Sequence, residues 1–196
     1  MDRTNDKNIM LNFETCSQVP MRGGQGYGGG GLVVVEGRVV WGGYGGVYEF
    51  DEVKSKWKKM ADGGELGGRL ALCGGRKVWV GGVKDGVSRP STKVMELSGE
   101  RWSLISEMLV RCRWSSVLSV SGGGMVVMGG LSDGDRLLND VQVYNGETQT
   151  WHRGQSLPQP CWAMSAVVHE DLVFIMGGHG MDKAVWCADI SDLVSH

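Results

Sequence analysis

Four times along this chain an apolar run closes on a pair of glycines: residues 38–43 (RVVWGG), 77–82 (KVWVGG), 125–130 (MVVMGG) and 172–178 (LVFIMGG). The first glycines stand at 42, 81, 129 and 177, so the steps are 39, 48 and 48 residues. Self-similarity at this period marks a repeat architecture, in which each unit buries its apolar surface against its neighbours. No long segment carries apolar residues at i, i+3, i+4 and i+7, so the units are read as strands.

What surrounds the glycine pairs recurs too. After Gly42-Gly43 come an apolar stretch, 47–50, and Trp57; after Gly81-Gly82 come 94–97 and Trp102; after Gly129-Gly130 come 141–144 and Trp151. Fifteen residues before each first glycine stand Tyr27, Leu66, Trp114 and Trp162. Short turns such as Glu36-Gly37 and Gly74-Gly75 join the first two strands of a unit as hairpins. The predicted strands are 32–36, 38–41, 46–50 and 57–59, then 69–73, 77–80, 93–97 and 102–104. A third set is 116–120, 125–128, 141–144 and 150–152, and a fourth is 163–168, 172–176 and 184–187. The fold class is all-β, a β-propeller of four-stranded blades with the last blade one strand short. Inner strands buried on both faces read as continuous Val/Ile/Met runs, and the glycine pairs remove side chains where segments crowd.

This order resembles the kelch repeat: an Arg- or Pro-led start, an apolar strand, a second strand ending Gly-Gly, then Tyr, then Trp. The resemblance spans roughly residues 20–190. It departs from the pattern at Glu96 or Leu97, where the tyrosine belongs, and at Trp186, which takes that place in the fourth repeat. It implies a polar tail over 1–12 and a propeller domain over 13–196, with blades near 22–60, 65–105, 111–154 and 160–196. Phe13 stands where the repeats place tryptophan, and 13–18 is available as the strand that closes the fourth blade. Kelch propellers close with about six or seven blades. Four repeats therefore make a small closed ring or part of a larger propeller, and other blades or a second chain could meet the open edge.

The 196 residues suffice for one domain with a sizeable core. A net charge of −2 gives no electrostatic case for nucleic acid or an acidic membrane as partner. The first twelve residues lack an apolar stretch of the secretory kind. Cys16, Cys73, Cys112, Cys161 and Cys187 show no CxxC spacing and are read as reduced thiols of a cytoplasmic protein.

Residues 24–29 (GQGYGG) match GxGxxG, but a strand follows where a pyrophosphate site needs a helix N-terminus, so an inter-blade loop is expected. His169 and His179 fall at opposite ends of a strand pair and cannot share a metal ion. Lysines 54, 56, 58 and 59 around Trp57 fit an exposed outer strand guarded against edge pairing. No cofactor, metal or catalytic group is expected. The loops after Gly-Gly share one face with the starts of the inner strands, and Tyr44, His179, Arg89, Arg113, Trp114, Trp162 and Tyr27 gather there, with Arg22 and Arg111 close by. Arg with aromatics is the composition of interaction hot spots, although Trp114 and Trp162 could equally serve to pack adjacent blades. The resemblance implies a non-catalytic module, scaffold or substrate adaptor, binding a protein or peptide through that face. The alternatives are an enzyme of the kelch oxidase type using the propeller centre, or a truncated fragment without independent function.

Overall fold

The computed structural model describes residues 30–43, 45–84, 89–181 and 185–194. They form four antiparallel sheets arranged as propeller blades, each ordered in space as it is in sequence. The first comprises β1 (Gly30–Val35), β2 (Arg38–Gly43), β3 (Gly46–Asp51) and β4 (Lys56–Ala61). The second comprises β5 (Arg69–Cys73), β6 (Arg76–Val80), β7 (Lys93–Ser98) and β8 (Arg101–Glu107). The third has β9 (Ser116–Val120), β10 (Gly124–Leu131), β11 (Leu137–Asn145) and β12 (Thr150–Arg153). The fourth has three strands, β13 (Ser165–His169), β14 (Leu172–Met176) and β15 (Val185–Asp189).

A short helix, α1 (Ile190–Val194), follows β15 where the sequence suggested none. Its five residues are too few to show a helical period. The Asp189 carboxylate starts it by accepting from the Ser191 N–H at 2.8 Å, and Leu193 is buried. The first-hairpin turns explain the blade edges. Glu36 and Gly37 take φ of 50° and 77°, and Gly74 and Gly75 take 56° and 77°, the paired left-handed geometry that matches strand twist.

Three apolar clusters fill the junctions. Val40, Val47, Leu70, Trp79 and Leu97 join the first blade to the second. Val78, Val80, Met125, Val127 and Tyr144 join the second to the third. Val126, Met128, Val173 and Ile175 join the third to the fourth. Polar stitches cross the same junctions. Ser119 Oγ donates to Leu72 O at 2.7 Å, and the Trp151 indole N–H donates to Ser106 Oγ at 2.8 Å. Buried Gln142 pairs its amide with both backbone groups of Val110, at 2.7 and 3.0 Å.

The register resolves one assignment that the sequence left open and corrects another. Leu97 lies opposite Trp102, as Tyr144 lies opposite Trp151 and Phe50 opposite Trp57, so Leu97 rather than Glu96 fills the tyrosine place. In the fourth blade that place belongs to Ala188. It pairs with Val173, four residues before Gly177, as Tyr144 pairs with Met125, four before Gly129; Trp186 lies two residues away, opposite Ile175. The third loop is also shorter than its sequence suggested, because β10 continues through Gly129-Gly130 to Leu131 and β11 begins at Leu137. A bulge between Met128 and Gly130 lets the ladder run on past the glycines. The tail 1–12, the segment 13–18 and residues 24–29 lie outside the described residues.

Candidate functional site

Just before each of the last three inner strands the chain makes one two-bonded clasp with the residue that ends the glycine-pair segment. Leu66 pairs with Val83, Arg113 with Leu131 and Trp162 with His179, through N–H···O bonds of 2.8–3.1 Å. The next residues, Gly67, Trp114 and Ala163, all adopt left-handed backbone, with φ of 74°, 51° and 56°. The kink turns the Trp114 and Ala163 amides toward the preceding blade: Trp114 N donates to Gly67 O, and Ala163 N donates to Trp114 O at 2.8 Å. Trp114 is therefore equivalent to Gly67 and Ala163, and Arg113 to Leu66 and Trp162. The 15-residue count misplaces Trp114 by one because the β9–β10 turn, Ser121–Gly123, is one residue longer than the Gly74-Gly75 turn.

That shift builds a ladder. The Arg113 guanidinium lies 4.5 Å from the Trp114 ring centroid. Trp114 tilts against Trp162 at 5.3 Å, and Trp162 stacks on His179 at 5.3 Å with planes 1° apart. The two indoles are half-buried and His179 is exposed. Both roles weighed from sequence thus coexist: the indoles pack the third blade to the fourth and leave part of their surface open. Beside them Asp133 receives Arg89 and Arg111, each at 3.5 Å, while Asp135 pairs with Arg113. Arg89 is 65% exposed, so this ion cluster contributes little to stability. Its effect is to hold cations beside the aromatic ladder. The Arg113 Nε–H is buried without an acceptor among the described residues. Tyr27, Tyr44 and Arg22 lie outside the described residues.

Arg69 is a member of this region that sequence reasoning passed over. It begins the apolar strand β5, and its guanidinium donates to Gly30 O at 2.5 Å, Ser115 O at 3.1 Å and Met164 O at 3.1 Å. These carbonyls belong to the starts of the first, third and fourth inner strands, so one side chain from the second blade ties all four together. Burial lowers its pKa from the usual arginine value, and the three carbonyl acceptors satisfy donors that burial removes from water. The signal was a charged residue opening the run RLALC.

The described cysteines are free: Cys73, Cys112 and Cys161 are buried and Cys187 is exposed. Burial pushes the Cys112 and Cys161 thiols up to about 11. No cluster of three or more His, Cys, Asp or Glu able to hold a metal occurs among the described residues.

The family model for the Kelch motif matches residues 115–158, the segment from the third inner strand to just past its tryptophan strand. Among curated proteins, the chain is similar to alpha-scruin of Limulus polyphemus, at 32% identity over 93 residues, 47% of this chain and 10% of that protein. It is 30% identical to kelch-like protein 33 of Homo sapiens over 114 residues, 58% of this chain and 20% of that protein. Beta-scruin of Limulus polyphemus matches at 30% over 93 residues. The matched stretches span a tenth to a fifth of the length of these relatives.

Proposed function

Since the chain is a kelch-repeat β-propeller, we propose that it is a non-catalytic scaffold of the cytoplasm that captures a protein partner on the face bearing the Arg113–Trp114–Trp162–His179 ladder. One observation carries this reading. Trp114 holds a left-handed backbone, φ 51°, at a position that the second and fourth blades give to Gly67 and Ala163. A bulky residue there costs about 1–3 kcal/mol of strain, and the backbone bond it makes to Gly67 is available to glycine at less cost. The indole is therefore retained for what it contacts. Its neighbours supply the rest of a hot spot: aromatic surface at moderate burial, with arginines around it. A rigid β scaffold carrying such residues on its loops suits recognition.

The test compares faces. The tagged chain and its variants would be used to pull partners from a lysate of the source cells, with bound proteins identified by mass spectrometry. Trp114→Gly and His179→Ala should each lose the partner while leaving stability within about 1 kcal/mol of the parent by urea titration, since relief of strain offsets lost packing at Trp114 and His179 is exposed. Arg38→Ala and Glu170→Ala, at the hairpin turns of the opposite face, should retain it. The reverse pattern would place the binding surface on the hairpin face and sink this assignment.

A further inference from the structure

On the same side as the ladder, a cavity of 440 Å³ opens at the junction of the first and second blades. Its walls include Trp79, Trp102 and Met95, and Glu65, Lys84 and Lys93 also line it. The two indoles meet edge to face at 6.2 Å. Trp102 is fixed by donating its N–H to Asp62 O at 3.0 Å, so the wall is set before anything binds. Gly64 lies flat on the Trp79 ring, where any Cβ would strike the indole; the chain is kept thin above the slot. Trp79 is buried, and its Nε1–H has no acceptor among the described residues. Neither lysine makes an ion pair with a described residue. Among the described lining residues, two ammonium groups against the Glu65 carboxylate leave the mouth positive.

We propose that this cavity receives an aromatic side chain of the partner, with the carboxylate of an adjacent acidic residue held between Lys84 and Lys93. The inference rests on the partner-binding reading above and adds the chemistry of the segment that is bound. The volume lies in the range of about 300–1,000 Å³ that accommodates small ligands, which suits one aromatic ring and part of its backbone. Aromatic walls favour an aromatic guest by offset or edge contacts. The two lysines, without an ion-pair partner among the described residues, select for an acidic neighbour, and their exposure makes that selection modest and salt-dependent.

The probes are blocked dipeptides: acetyl-Asp-Phe-amide, acetyl-Asn-Phe-amide and acetyl-Asp-Ala-amide. Each is titrated into the ¹⁵N-labelled chain while the indole N–H resonances are followed, with that of Trp79 assigned through Trp79→Phe. Acetyl-Asp-Phe-amide should shift the Trp79 and Trp102 signals saturably. Acetyl-Asn-Phe-amide should bind about two- to fivefold more weakly, and the double variant Lys84→Met, Lys93→Met should erase that difference. Acetyl-Asp-Ala-amide should leave both signals in place. Equal binding of the Asp and Asn peptides to the parent chain would overturn the charge selection, and no saturable shift with any probe would overturn the site. An unchanged urea midpoint for the double variant confirms that its fold is intact. Partner capture that depends on Trp114, together with dipeptide silence, would sink this inference and leave the ladder standing. Saturable dipeptide binding with capture unaffected by Trp114→Gly would do the opposite.

Discussion

Among the described residues, the second and third blades bury both of their faces, whereas the first and fourth bury one. In the third blade the Tyr144–Trp151 pair, at 5.1 Å, belongs to the cluster filled by the second blade. The equivalent Phe50–Trp57 pair of the first blade, at 5.2 Å, has its own sheet beside it but no preceding blade among the described residues. On that same face Leu32 and Val34 are 62% and 56% exposed. The far face of the fourth blade carries Val167 at 50% and Val185 at 60%. The glycine pairs tell the same story from the backbone. A Cβ on Gly129 would run into Cys161 O and the Met164 side chain at the junction with the fourth blade, while one on Gly177 would meet nothing within 4 Å. Both glycines are left-handed, at 58° and 68°. The repeat thus encodes a two-sided unit, and its stability comes from the junctions rather than from any blade alone.

The sharpest way to break this contrast is the glycine pair itself. Gly129→Ala should cost about 3–4 kcal/mol, because a left-handed alanine and a steric clash add. Gly177→Ala should cost only the backbone part, about 1–2 kcal/mol. Equal shifts in urea midpoint would mean that the far side of the fourth blade is occupied. Next in size, Met125→Ala empties a fully buried site and should lose about 3 kcal/mol, whereas Met176→Ala, on the open face, should stay within about 0.5 kcal/mol. Trp151→Ala should lose about 2–3 kcal/mol and Trp57→Ala about 1 kcal/mol, read in the same titration. A Trp57 loss matching that of Trp151 would show the first blade to be covered.

The smallest effect concerns the thiols. Cys112 and Cys161 are held near 11 against an ordinary value of 9.0, so the folded state keeps its proton where the unfolded chain would lose it. The stability this confers is complete below pH 9 and fades as pH rises from 9 through 11. Brief alkylation with iodoacetamide at pH 8, followed by peptide mapping, should label exposed Cys187 and spare Cys112 and Cys161. A thiol held at about 11 instead of 9.0 has its thiolate fraction at pH 8 lowered on the order of 100-fold. Rapid labelling of either would mean that the junctions open.

The sequence by itself determined the repeat, the all-β class and the position of nearly every strand. Apolar runs ending in Gly-Gly, at a period of 39–48 residues, leave few other ways to bury that surface. It also pointed to Arg113, Trp114, Trp162, His179 and Arg89 as residues of one face, because an antiparallel blade puts loop and inner-strand start at the same end. Only the tertiary structure decided how they meet. The turn Ser121–Gly123 adds one residue, which moves Trp114 into the left-handed position and Arg113 into the clasp; no count along the chain reveals a one-residue offset until strands are paired. Likewise Ala188, not Trp186, holds the tyrosine place, since register and not residue type assigns it. Arg69 was invisible for a deeper reason. Its acceptors are backbone carbonyls 39, 46 and 95 residues away, and every residue has a carbonyl, so nothing in their identity marks them. Only the convergence of four blades brings those oxygens within reach of one guanidinium.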